Sequence, residues 1–394
     1  MPSQAVYDQA VARFRAHFGQ AHTVAAYAPG RIEILGNHTD YNEGLVLSAA
    51  INFGTYFLVA PASGRQCRLL AGDVGQEVAF PVEAPAPARD SMWANYVKGV
   101  VAGLGRQAGA PFRQGFLGML LGDVPLGAGL SSSAALEISS GLAIAALYGL
   151  QVPPLDLARI GQKSEHEFVG VKCGLLDQIS SLFAQPDRLV ASDFRSLRVE
   201  TVPLGESVRF LMCNTKAKHA LVDGEYNERR HSCEAAARYF AGVLPHPVTA
   251  LRDVSWNEWT EHAGRMDPVI ARRAAHVIGE NQRVARGMNL LRTGQLGEFG
   301  KLMFDSHGSS VSNFENSCPE LDLLVSVARR TPGVLGARLS GGGFGGSAVA
   351  LVERESVDAV TEAIRVGYRR KFGHPCDVRE VAASGGAGLV AVGD

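Results

Sequence analysis

The chain lacks the features that would direct it to a membrane or to a polyanion. It has no run of roughly eighteen consecutive apolar residues, the length at which a membrane-spanning helix becomes possible. At its N-terminus no basic stretch is followed by a continuous apolar run, as in a secretory signal. The formal net charge is -1 over 394 residues, so no electrostatic attraction to nucleic acid or to an anionic bilayer is expected. We therefore expect a cytoplasmic protein with no nucleic-acid partner and no membrane partner.

Closely paired cysteines and the two commonest nucleotide-binding signatures are also missing. The six cysteines include no CxxC pair, which argues against a zinc or redox site and predicts free thiols. No GxxxxGK[ST] segment occurs, which excludes a Walker A loop. Residues 341–346 read GGGFGG and satisfy GxGxxG in letters, but the SAVALVE that follows predicts a strand where dinucleotide binding requires a helix. A nucleotide-dependent oxidoreductase is therefore disfavoured.

Length and the order of the predicted elements favour two lobes. At 394 residues the chain exceeds the size at which one hydrophobic core usually stops growing. Short β-rich segments begin near Thr23, a long apolar helix is predicted over residues 132–148, and strands and helices alternate again after Arg195. We predict an α+β protein with one lobe over residues 1–195 and a second lobe over residues 196–394.

The strongest local pattern is the glycine- and serine-rich segment GDVPLGAGLSSSAA at residues 122–135, between a predicted strand and a predicted helix. Free backbone N–H groups at the start of that helix, with the positive end of its dipole, could bind a phosphate group. A helix capped by serine after a glycine turn would show the same letters. The pattern alone leaves both interpretations open.

Two further clusters combine polar side chains with glycine. In PGRIEILGNHTDYNEG, residues 29–44, the mixture of Arg, His, Asp and Asn is what a site for sugar hydroxyls needs, although a polar surface hairpin would look similar. In EHEFVGVKCGLLDQ, residues 165–178, Asp177 is a single acid in an apolar setting. A carboxylate there needs either a cationic partner or a function, so a structural ion pair and a catalytic acid both remain possible interpretations.

In this order the segments resemble the three signature motifs of the GHMP kinases, and specifically those of the galactokinases. GRIEILGNHTDYNEG is similar to the sugar-binding signature, PLGAGLSSSAALE to the phosphate loop, and ARLSGGGFGGSAVAL to the third, glycine-rich motif. The likeness extends over about residues 25–351. It implies a two-lobed GHMP kinase architecture, with an N-terminal lobe of ribosomal-protein S5 domain 2-like topology and a ferredoxin-like C-terminal lobe. ATP and a monosaccharide would bind between the lobes.

The resemblance also implies roles for individual residues in an ATP-dependent sugar 1-kinase. Asp177 would accept the proton of the anomeric hydroxyl of galactose, and Arg31 would pair with Asp177 and neutralise the transferring phosphoryl group. Ser133 and Glu165 match positions that hold Mg²⁺, a cation that prefers oxygen ligands. The residues expected to contact the sugar are Asn37, His38, Asp40, Gly174 and Tyr226. Those expected to contact ATP are Trp93, Gly127, Ala128, Gly129, Leu130, Ser131, Ser132 and Ser133. The oligomeric state expected is a monomer or a weak homo-oligomer.

The sequence departs from the family pattern immediately before His38. Galactokinases typically carry a glutamate there, which meets the hydroxyl on the sixth carbon of the sugar, whereas this chain has Asn37. Asparagine can still bind a hydroxyl but would no longer repel a carboxylate. Glu33 stands where the family usually has a neutral residue such as asparagine. Galactose is the expected substrate, with galacturonate or a broader set of sugars as the alternative, and a non-catalytic sensor of galactose and ATP as a further one.

Overall fold

Two β-sheets organise the part of the chain that the computed structural model describes, which is residues 3–125, 129–217 and 222–391. Within it, one sheet has eight strands and the other has four. The strands of the first sheet are β1 (Val24–Leu35), β2 (Leu45–Pro61), β3 (Gln66–Ala71), β4 (Gln76–Pro81), β5 (Phe116–Gly122), β6 (Arg188–Asp193), β7 (Arg198–Pro203) and β12 (Gly388–Val390). Those of the second sheet are β8 (Val208–Asn214), β9 (Val334–Ser340), β10 (Ser347–Glu353) and β11 (Asp377–Val381).

Helices pack against both sheets, as expected for an α+β protein. The N-terminal half contains α1 (Gln4–Phe18), α2 (Met92–Gln107), α3 (Ser132–Leu147), α4 (Pro154–Ser164) and α5 (Leu176–Phe183). The C-terminal half contains α6 (Val222–Val243), α7 (Trp256–His262), α8 (Pro268–Arg292), α9 (Leu296–Ser309), α10 (Pro319–Arg330) and α11 (Val357–Phe372). In the described ranges no helix combines the length and the apolar character needed to cross a bilayer. All six cysteines are free, as predicted.

The strand order explains how the two halves are joined. The first sheet runs β12-β1-β2-β5-β3-β4, with β6 paired to β2 and β7 paired to β6, and the second runs β11-β8-β10-β9. The β3–β5 pair is parallel, whereas the other pairs are antiparallel. One hydrophobic cluster contains Ile32 of β1, Phe210 of β8 and Val284 of α8, so the two halves share buried apolar surface. That shared core holds β1 against the C-terminal half. The site described below includes residues of both.

The first two strands are longer than the sequence predicted. The segments TVAAYAPG and RIEILG form the single strand β1, and LVLSAAI and TYFLVAP form the single strand β2. Pairing continues past Pro29 because the register shifts between Pro29 and Arg31, and such a bulge accommodates a residue without an N–H donor. Gly54 faces Pro29, and a Cβ at Gly54 would collide with the Ala28 carbonyl oxygen. Proline and glycine here mark an irregular pairing and not the end of a strand.

The division of the chain at residue 195 stays a prediction. The hairpin of β6 and β7 lies on either side of that point, with Asp193 opposite Arg198. Near the C-terminus, β12 returns to the first sheet, where Val390 pairs with Ala25 of β1. The expected helix over residues 132–148 is confirmed as α3, and residues 341–346 connect two antiparallel strands, β9 and β10, as their sequence context predicted.

Candidate active site

Three adjoining cavities share lining residues. The polar cavity, about 420 Å³, is lined by side chains from residues 31–40 and 170–177 together with Tyr226. The glycine-loop cavity, about 340 Å³, is lined by residues 129–133 and by the glycines between β9 and β10. The aromatic cavity, also about 340 Å³, contains Trp93. Arg31, Asp177, Gly341 and Gly342 line both the polar and the glycine-loop cavity, whereas Ser132 and Ser133 line both the glycine-loop and the aromatic cavity.

An ion pair between Arg31 and Asp177 stands where the polar cavity meets the glycine-loop cavity. The Nε and NH2 atoms of Arg31 lie 2.8 and 2.7 Å from Asp177 Oδ1. The third guanidinium nitrogen, NH1, donates to the Gly129 carbonyl oxygen at 2.8 Å. Asp177 lies in the first turn of α5, where the helix dipole favours a negative charge. Its side chain remains 25% exposed, so the ion pair leaves the carboxylate accessible from the cavities.

The loop before α3 is tied to β1 and to Asp177. The Arg31 N–H donates to the Leu130 carbonyl oxygen at 3.0 Å, and a Cβ at Gly30 would collide with that oxygen. Ser131 has a φ of 57°, and its hydroxyl donates to Asp177 Oδ2. Its side chain makes no capping hydrogen bond to α3 within the described ranges, so the simple serine-capped helix is not what this segment forms. The expected phosphate-contacting residues Gly127 and Ala128 lie outside the described residues.

Ser133 and Glu165 present two oxygens side by side near this loop. Ser133 Oγ donates to Glu165 Oε1 at 3.2 Å. Glu165 opens a single π-helical turn, Glu165–Val169, that continues α4, and it is almost fully buried. Burial, with a contribution from the charge of Asp177, raises the pKa of Glu165 to about 7. Such a desolvated carboxyl beside a hydroxyl fits a hard divalent cation, because bound Mg²⁺ usually takes only one or two carboxylates and completes its shell with water and phosphate oxygens. Within the described ranges, no group of three or more His, Cys, Asp or Glu residues is arranged to hold a metal without such added ligands.

The wall of the polar cavity is a buried polar cluster rather than a surface hairpin. His38 has a φ of 60° and lies with Nδ1 2.8 Å from the Tyr41 hydroxyl and Nε2 3.1 Å from the Gly342 carbonyl oxygen. Burial lowers the pKa of His38 to about 4, so the ring is neutral at pH 7. The ring of Tyr226 packs against it, with centroids 5.1 Å apart. The surface-hairpin interpretation of residues 29–44 is therefore wrong.

Asp40 and Gly174 meet in the wall of the same cavity. Desolvation raises the pKa of Asp40 to about 6. A Cβ at Gly174 would collide with Asp40 Oδ2, so only glycine allows the two segments to approach this closely. Both residues line the cavity, which presents their polar groups to a bound molecule.

Asn37 is buried and fully engaged with protein groups. Its Nδ2 donates to Glu33 Oε1 at 3.0 Å and to the Gly341 carbonyl oxygen at 2.7 Å. Its Oδ1 accepts a hydrogen bond from Asn316 Nδ2 at 2.9 Å. Glu33 Oε1 also accepts from NH1 of Arg338, a fully buried arginine, at 3.0 Å. Asn37 thus lines the polar cavity together with Glu33, as one hydrogen-bonded pair.

Glu280 of α8 holds the turn that carries Asn37. Its Oε2 accepts from the backbone N–H groups of Gly36 and Asn37 at 2.8 and 2.9 Å, and its Oε1 accepts from Arg283 Nε at 2.6 Å. Burial alone would raise the pKa of Glu280, but the charges of Arg283, His276 and Arg338, together with these backbone donors, lower it well below the usual range. A carboxylate that accepts several hydrogen bonds in this way is a rigid anchor.

The aromatic cavity is lined by residues suited to contact a planar ring. Trp93 is half-buried there, and its Nε1 donates to Gln76 Oε1 at 3.1 Å. Apolar side chains of Leu120 and Leu136 complete the wall. The cavity ends at Ser132 and Ser133, so a molecule with a flat ring and a phosphate tail would extend from Trp93 to the start of α3.

Comparison with known proteins identifies the family. The galactokinase galactose-binding signature matches residues 12–61, the GHMP kinases N terminal domain matches residues 95–185, and the GHMP kinases C terminal domain matches residues 288–369. Galactokinases of Glaesserella parasuis serovar 5 and Actinobacillus succinogenes are each 40% identical over 365 residues, which is 92% and 91% of this chain and 93% of each relative. The chain belongs to the galactokinase family. The crystal structure of Lactococcus lactis galactokinase complexed with galactose matches with a TM-score of 0.91 and 32% identity, over 97% of this chain and 99% of that one.

Most of the site residues expected for a member of the galactokinase family line one of the three cavities. Arg31, Asn37, His38, Asp40, Gly174, Asp177 and Tyr226 all line the polar cavity. Gly129, Leu130, Ser131, Ser132 and Ser133 line the glycine-loop cavity. Trp93 lies in the aromatic cavity, and Glu165 is hydrogen-bonded to Ser133. The roles assigned to these residues stay predictions.

Sequence reasoning overlooked three residues that shape the polar cavity of this family member. Arg338 lies on β9 and Glu280 on α8, both fully buried, and Asn316 follows the π-helical turn Ser310–Phe314. A signal existed for two of them, because a charged residue within an otherwise apolar strand or on the apolar face of a helix needs a partner or a function. Asn316 gave no such signal.

Proposed function

We propose that this chain is an ATP-dependent galactose 1-kinase, which transfers the γ-phosphoryl group of ATP to the anomeric hydroxyl of galactose and yields α-D-galactose 1-phosphate and ADP. One observation carries the proposal. The Arg31–Asp177 ion pair stands between a polar cavity suited to a sugar and a glycine-rich cavity suited to phosphates. Family membership, and a relative whose structure contains galactose, support the same conclusion.

In the proposed complex each substrate occupies a cavity that matches its chemistry. The adenine ring lies beside Trp93, the phosphates extend past Ser132 and Ser133 into the glycine-loop cavity, and galactose fills the polar cavity. The sugar and the phosphates then meet at Arg31 and Asp177. Phosphoryl transfer requires mainly in-line positioning and neutralisation of charge, and this arrangement supplies both.

Asp177 receives or orients the proton of the anomeric hydroxyl, and the neighbouring residues fix how it does so. Arg31 occupies one carboxylate oxygen and Ser131 the other, so the carboxylate cannot rotate away from the cavity boundary. Oδ1 faces two nitrogens of Arg31, whereas Oδ2 accepts from Ser131 and keeps a further lone pair for the anomeric hydroxyl. The Arg31 guanidinium is also close enough to the glycine-loop cavity to neutralise negative charge on a transferring phosphoryl group.

Ser133 and Glu165 are the residues that would hold Mg²⁺, with the remaining ligands supplied by phosphate oxygens and water. The ion, when bound, neutralises phosphate charge and fixes the geometry of the β- and γ-phosphates. Glu165 must be deprotonated to act as a ligand, and its pKa of about 7 makes that step sensitive to pH near neutrality.

The sugar contacts follow from the protonation states in the polar cavity. The two ring nitrogens of neutral His38 are held by the Tyr41 hydroxyl and the Gly342 carbonyl oxygen, so His38 meets the sugar through its ring and not through a free nitrogen. Asp40 provides an acceptor. The backbone of Gly174 approaches the sugar because it carries no side chain, and Tyr226 offers a ring face to the C–H groups of the sugar. We also retain, as proposals, the two lobes over residues 1–195 and 196–394, a monomer or weak homo-oligomer, and a cytoplasmic location.

A coupled ADP-release assay tests the proposal. MgATP is supplied with galactose, galacturonate, N-acetylgalactosamine, arabinose or glucose, and Asp177→Asn serves as the control that preserves side-chain shape. Galactose is expected to dominate, since the polar cavity contains the carboxylates of Glu33, Asp40 and Asp177 and disfavours a further acid. Preference for galacturonate would show that galacturonate, and not galactose, is the substrate. Binding of galactose and ATP without turnover of any sugar would instead support a non-catalytic sensor of galactose and ATP.

A further inference from the structure

We propose that Glu33 determines which sugar this enzyme accepts, by receiving a hydrogen bond from one substrate hydroxyl, and that Asn37 positions Glu33 without itself reading that hydroxyl. The inference rests on the proposed function, because it assumes that a sugar fills the polar cavity. Four observations lead to it: the saturated amide of Asn37, the free oxygen of Glu33, the buried partner of Glu33, and the location of the pair in the cavity wall.

The amide of Asn37 has no hydrogen left to donate. Its two N–H bonds point at Glu33 Oε1 and at the Gly341 carbonyl oxygen. A carbonyl oxygen can only accept, so the NH2 group must face this side and the amide cannot be flipped. The Asn37 oxygen accepts one hydrogen bond, from Asn316, whose own Nδ2 is also 3.1 Å from the Gly342 carbonyl oxygen. With 1% of its surface exposed, Asn37 serves the protein and not a ligand.

Glu33 has the opposite pattern. Its Oε1 receives hydrogen bonds from Asn37 and Arg338, whereas no residue of the described ranges donates to its Oε2. Glu33 lines the polar cavity, and 6% of its side chain is exposed there. A nearly buried carboxylate oxygen without a donor is costly to leave unsatisfied, and a sugar hydroxyl entering the cavity satisfies it.

Arg338 keeps this oxygen an acceptor. It is fully buried, its NH1 contacts Glu33, and its Nε and NH2 have no partner within the described ranges. Burial raises the pKa of Glu33, and the guanidinium of Arg338, which is always charged, opposes that rise and favours the carboxylate form. A hydrogen bond from a hydroxyl to a carboxylate is stronger than one between neutral groups. A site built to receive a hydroxyl also rejects a sugar that presents an acceptor at the same place.

Glu33→Gln should reverse this preference. Asn37 and Arg338 both donate toward the position of Oε1, so the glutamine oxygen stays there and its NH2 replaces the free acceptor with a donor. Turnover is measured as kcat/KM with MgATP, for galactose and for the four sugars carrying fluorine in place of the hydroxyl at carbon 2, 3, 4 or 6. Fluorine cannot donate a hydrogen bond, and the intrinsic reactivity of each sugar cancels when two variants are compared.

In the natural protein, one fluoro sugar should be rejected about 10- to 100-fold more strongly than the other three, the range for a hydrogen bond to a charged group. In Glu33→Gln, kcat/KM for galactose should fall by about the same factor, 10- to 100-fold. Its rejection of that one fluoro sugar relative to galactose should fall at least about tenfold. Asn37→Ala removes one of the two donors to Glu33 Oε1 but leaves Arg338, so turnover of galactose should fall while the fluoro sugar that is rejected most strongly stays the same as in the natural protein. Equilibrium binding of galactose without ATP should weaken in Glu33→Gln.

Identical fluoro-sugar ratios in the natural protein and in Glu33→Gln would overturn the role of Glu33. Loss of the discrimination in Asn37→Ala but not in Glu33→Gln would assign it to Asn37 instead. Glu33→Asp, which keeps the charge beside Arg338 but withdraws the free oxygen, replaces Glu33→Gln should that variant not fold, and is expected to bind galactose more weakly. Failure of the natural protein to phosphorylate galactose would reject the proposed function itself, and the two failures are therefore distinguishable.

Discussion

The Ser131 hydroxyl donates a hydrogen bond to Asp177 Oδ2 from a residue whose backbone lies in the left-handed region, with a φ of 57°. A non-glycine residue adopts that conformation at a cost of about 1 kcal/mol. A strained backbone thus holds the Ser131 hydroxyl beside the carboxylate of Asp177. We propose that this carboxylate receives or orients the proton of the sugar's anomeric hydroxyl. Two substitutions of Ser131 distinguish the effect of this hydrogen bond on activity from the effect of the backbone strain on stability.

Ser131→Ala and Ser131→Gly both remove the hydroxyl, but only glycine relieves the strain. We expect kcat to fall about tenfold in both variants, the effect of losing one hydrogen bond to a charged group. Ser131→Gly should be about 1 kcal/mol more stable than Ser131→Ala. Steady-state kinetics and urea unfolding test the two statements, and an unchanged kcat in both variants would remove Ser131 from the mechanism.

Asp177→Asn and Arg31→Lys are expected to lower kcat by about 10²- to 10³-fold. The first removes the negative charge of the carboxylate, and the second replaces the planar guanidinium, which contacts both Asp177 and Gly129, with an ammonium group that cannot make both contacts. The KM for galactose should change much less, because the effect arises in the transition state. Asp156→Asn is the matched control: Asp156 also pairs with an arginine, Arg159, at 3.0 Å, but both side chains are exposed. A surface pair of this kind contributes little, so that variant should retain normal kinetics.

Glu165 should make the metal-free protein less stable as pH rises. Its folded-state pKa of about 7 exceeds the ordinary value of 4.5, so the folded state binds the proton more tightly than the unfolded state. This stabilisation is complete below pH 4.5 and is lost as pH increases through 7, with a total of about 1–3 kcal/mol. Glu165→Gln should reduce the slope, and the slope that remains comes from other carboxyls whose pKa burial raises, among them Asp40, Glu33 and Glu137.

Glu167→Gln provides the comparison for that measurement. Glu167 lies in the same π-helical turn but is 48% exposed and pairs with Arg106 at 3.1 Å. The unfolding free energy of the Glu167→Gln variant, measured from pH 5 to pH 8 in EDTA, should change with pH as that of the natural protein does. Equal slopes for Glu165→Gln and Glu167→Gln would show that the buried carboxyl does not control stability.

Gly174→Ala should damage sugar binding through Asp40. The added methyl group collides with Asp40 Oδ2, so the carboxylate or the loop must move. We expect the KM for galactose to rise at least about tenfold and the free energy of unfolding to fall by about 1–3 kcal/mol. Gly297→Ala, in an exposed part of α9 where a Cβ meets nothing within 4 Å, should instead stabilise the protein by about 0.5–1 kcal/mol. Normal galactose binding in Gly174→Ala would contradict the proposed closeness.

Local patterns predicted the parts of the fold that depend on neighbouring residues. The apolar helix α3 and the strand after the third glycine motif were evident from periodicity, because each is determined within about fifteen residues. The continuity of β1 was not, because Pro29 and Gly30 resemble a break. Only the pairing of Pro29 with Gly54, a contact between distant segments, shows that the strand continues.

The candidate site was predictable in its members but not in its connections. Alternation along β1 places Arg31 and Glu33 on one face, which the sequence alone could suggest. That Glu33 meets Arg338, and that Asn37 meets Asn316, depends on how two halves of the chain pack together. Relative to the family pattern, this chain has glutamate at position 33 and asparagine at position 37. Only the contacts of the folded chain show that these two residues form one hydrogen-bonded pair.

The pairing of β12 with β1 bears on how the protein is made. Ala25 leaves the ribosome well before its partner Val390, because the two residues are far apart along the chain. Until β12 has been synthesised, the outer edge of β1 carries open hydrogen-bonding groups, and such an edge is a template for another strand. Completion of the first sheet must await β12, so a late step of folding joins distant segments of the polypeptide.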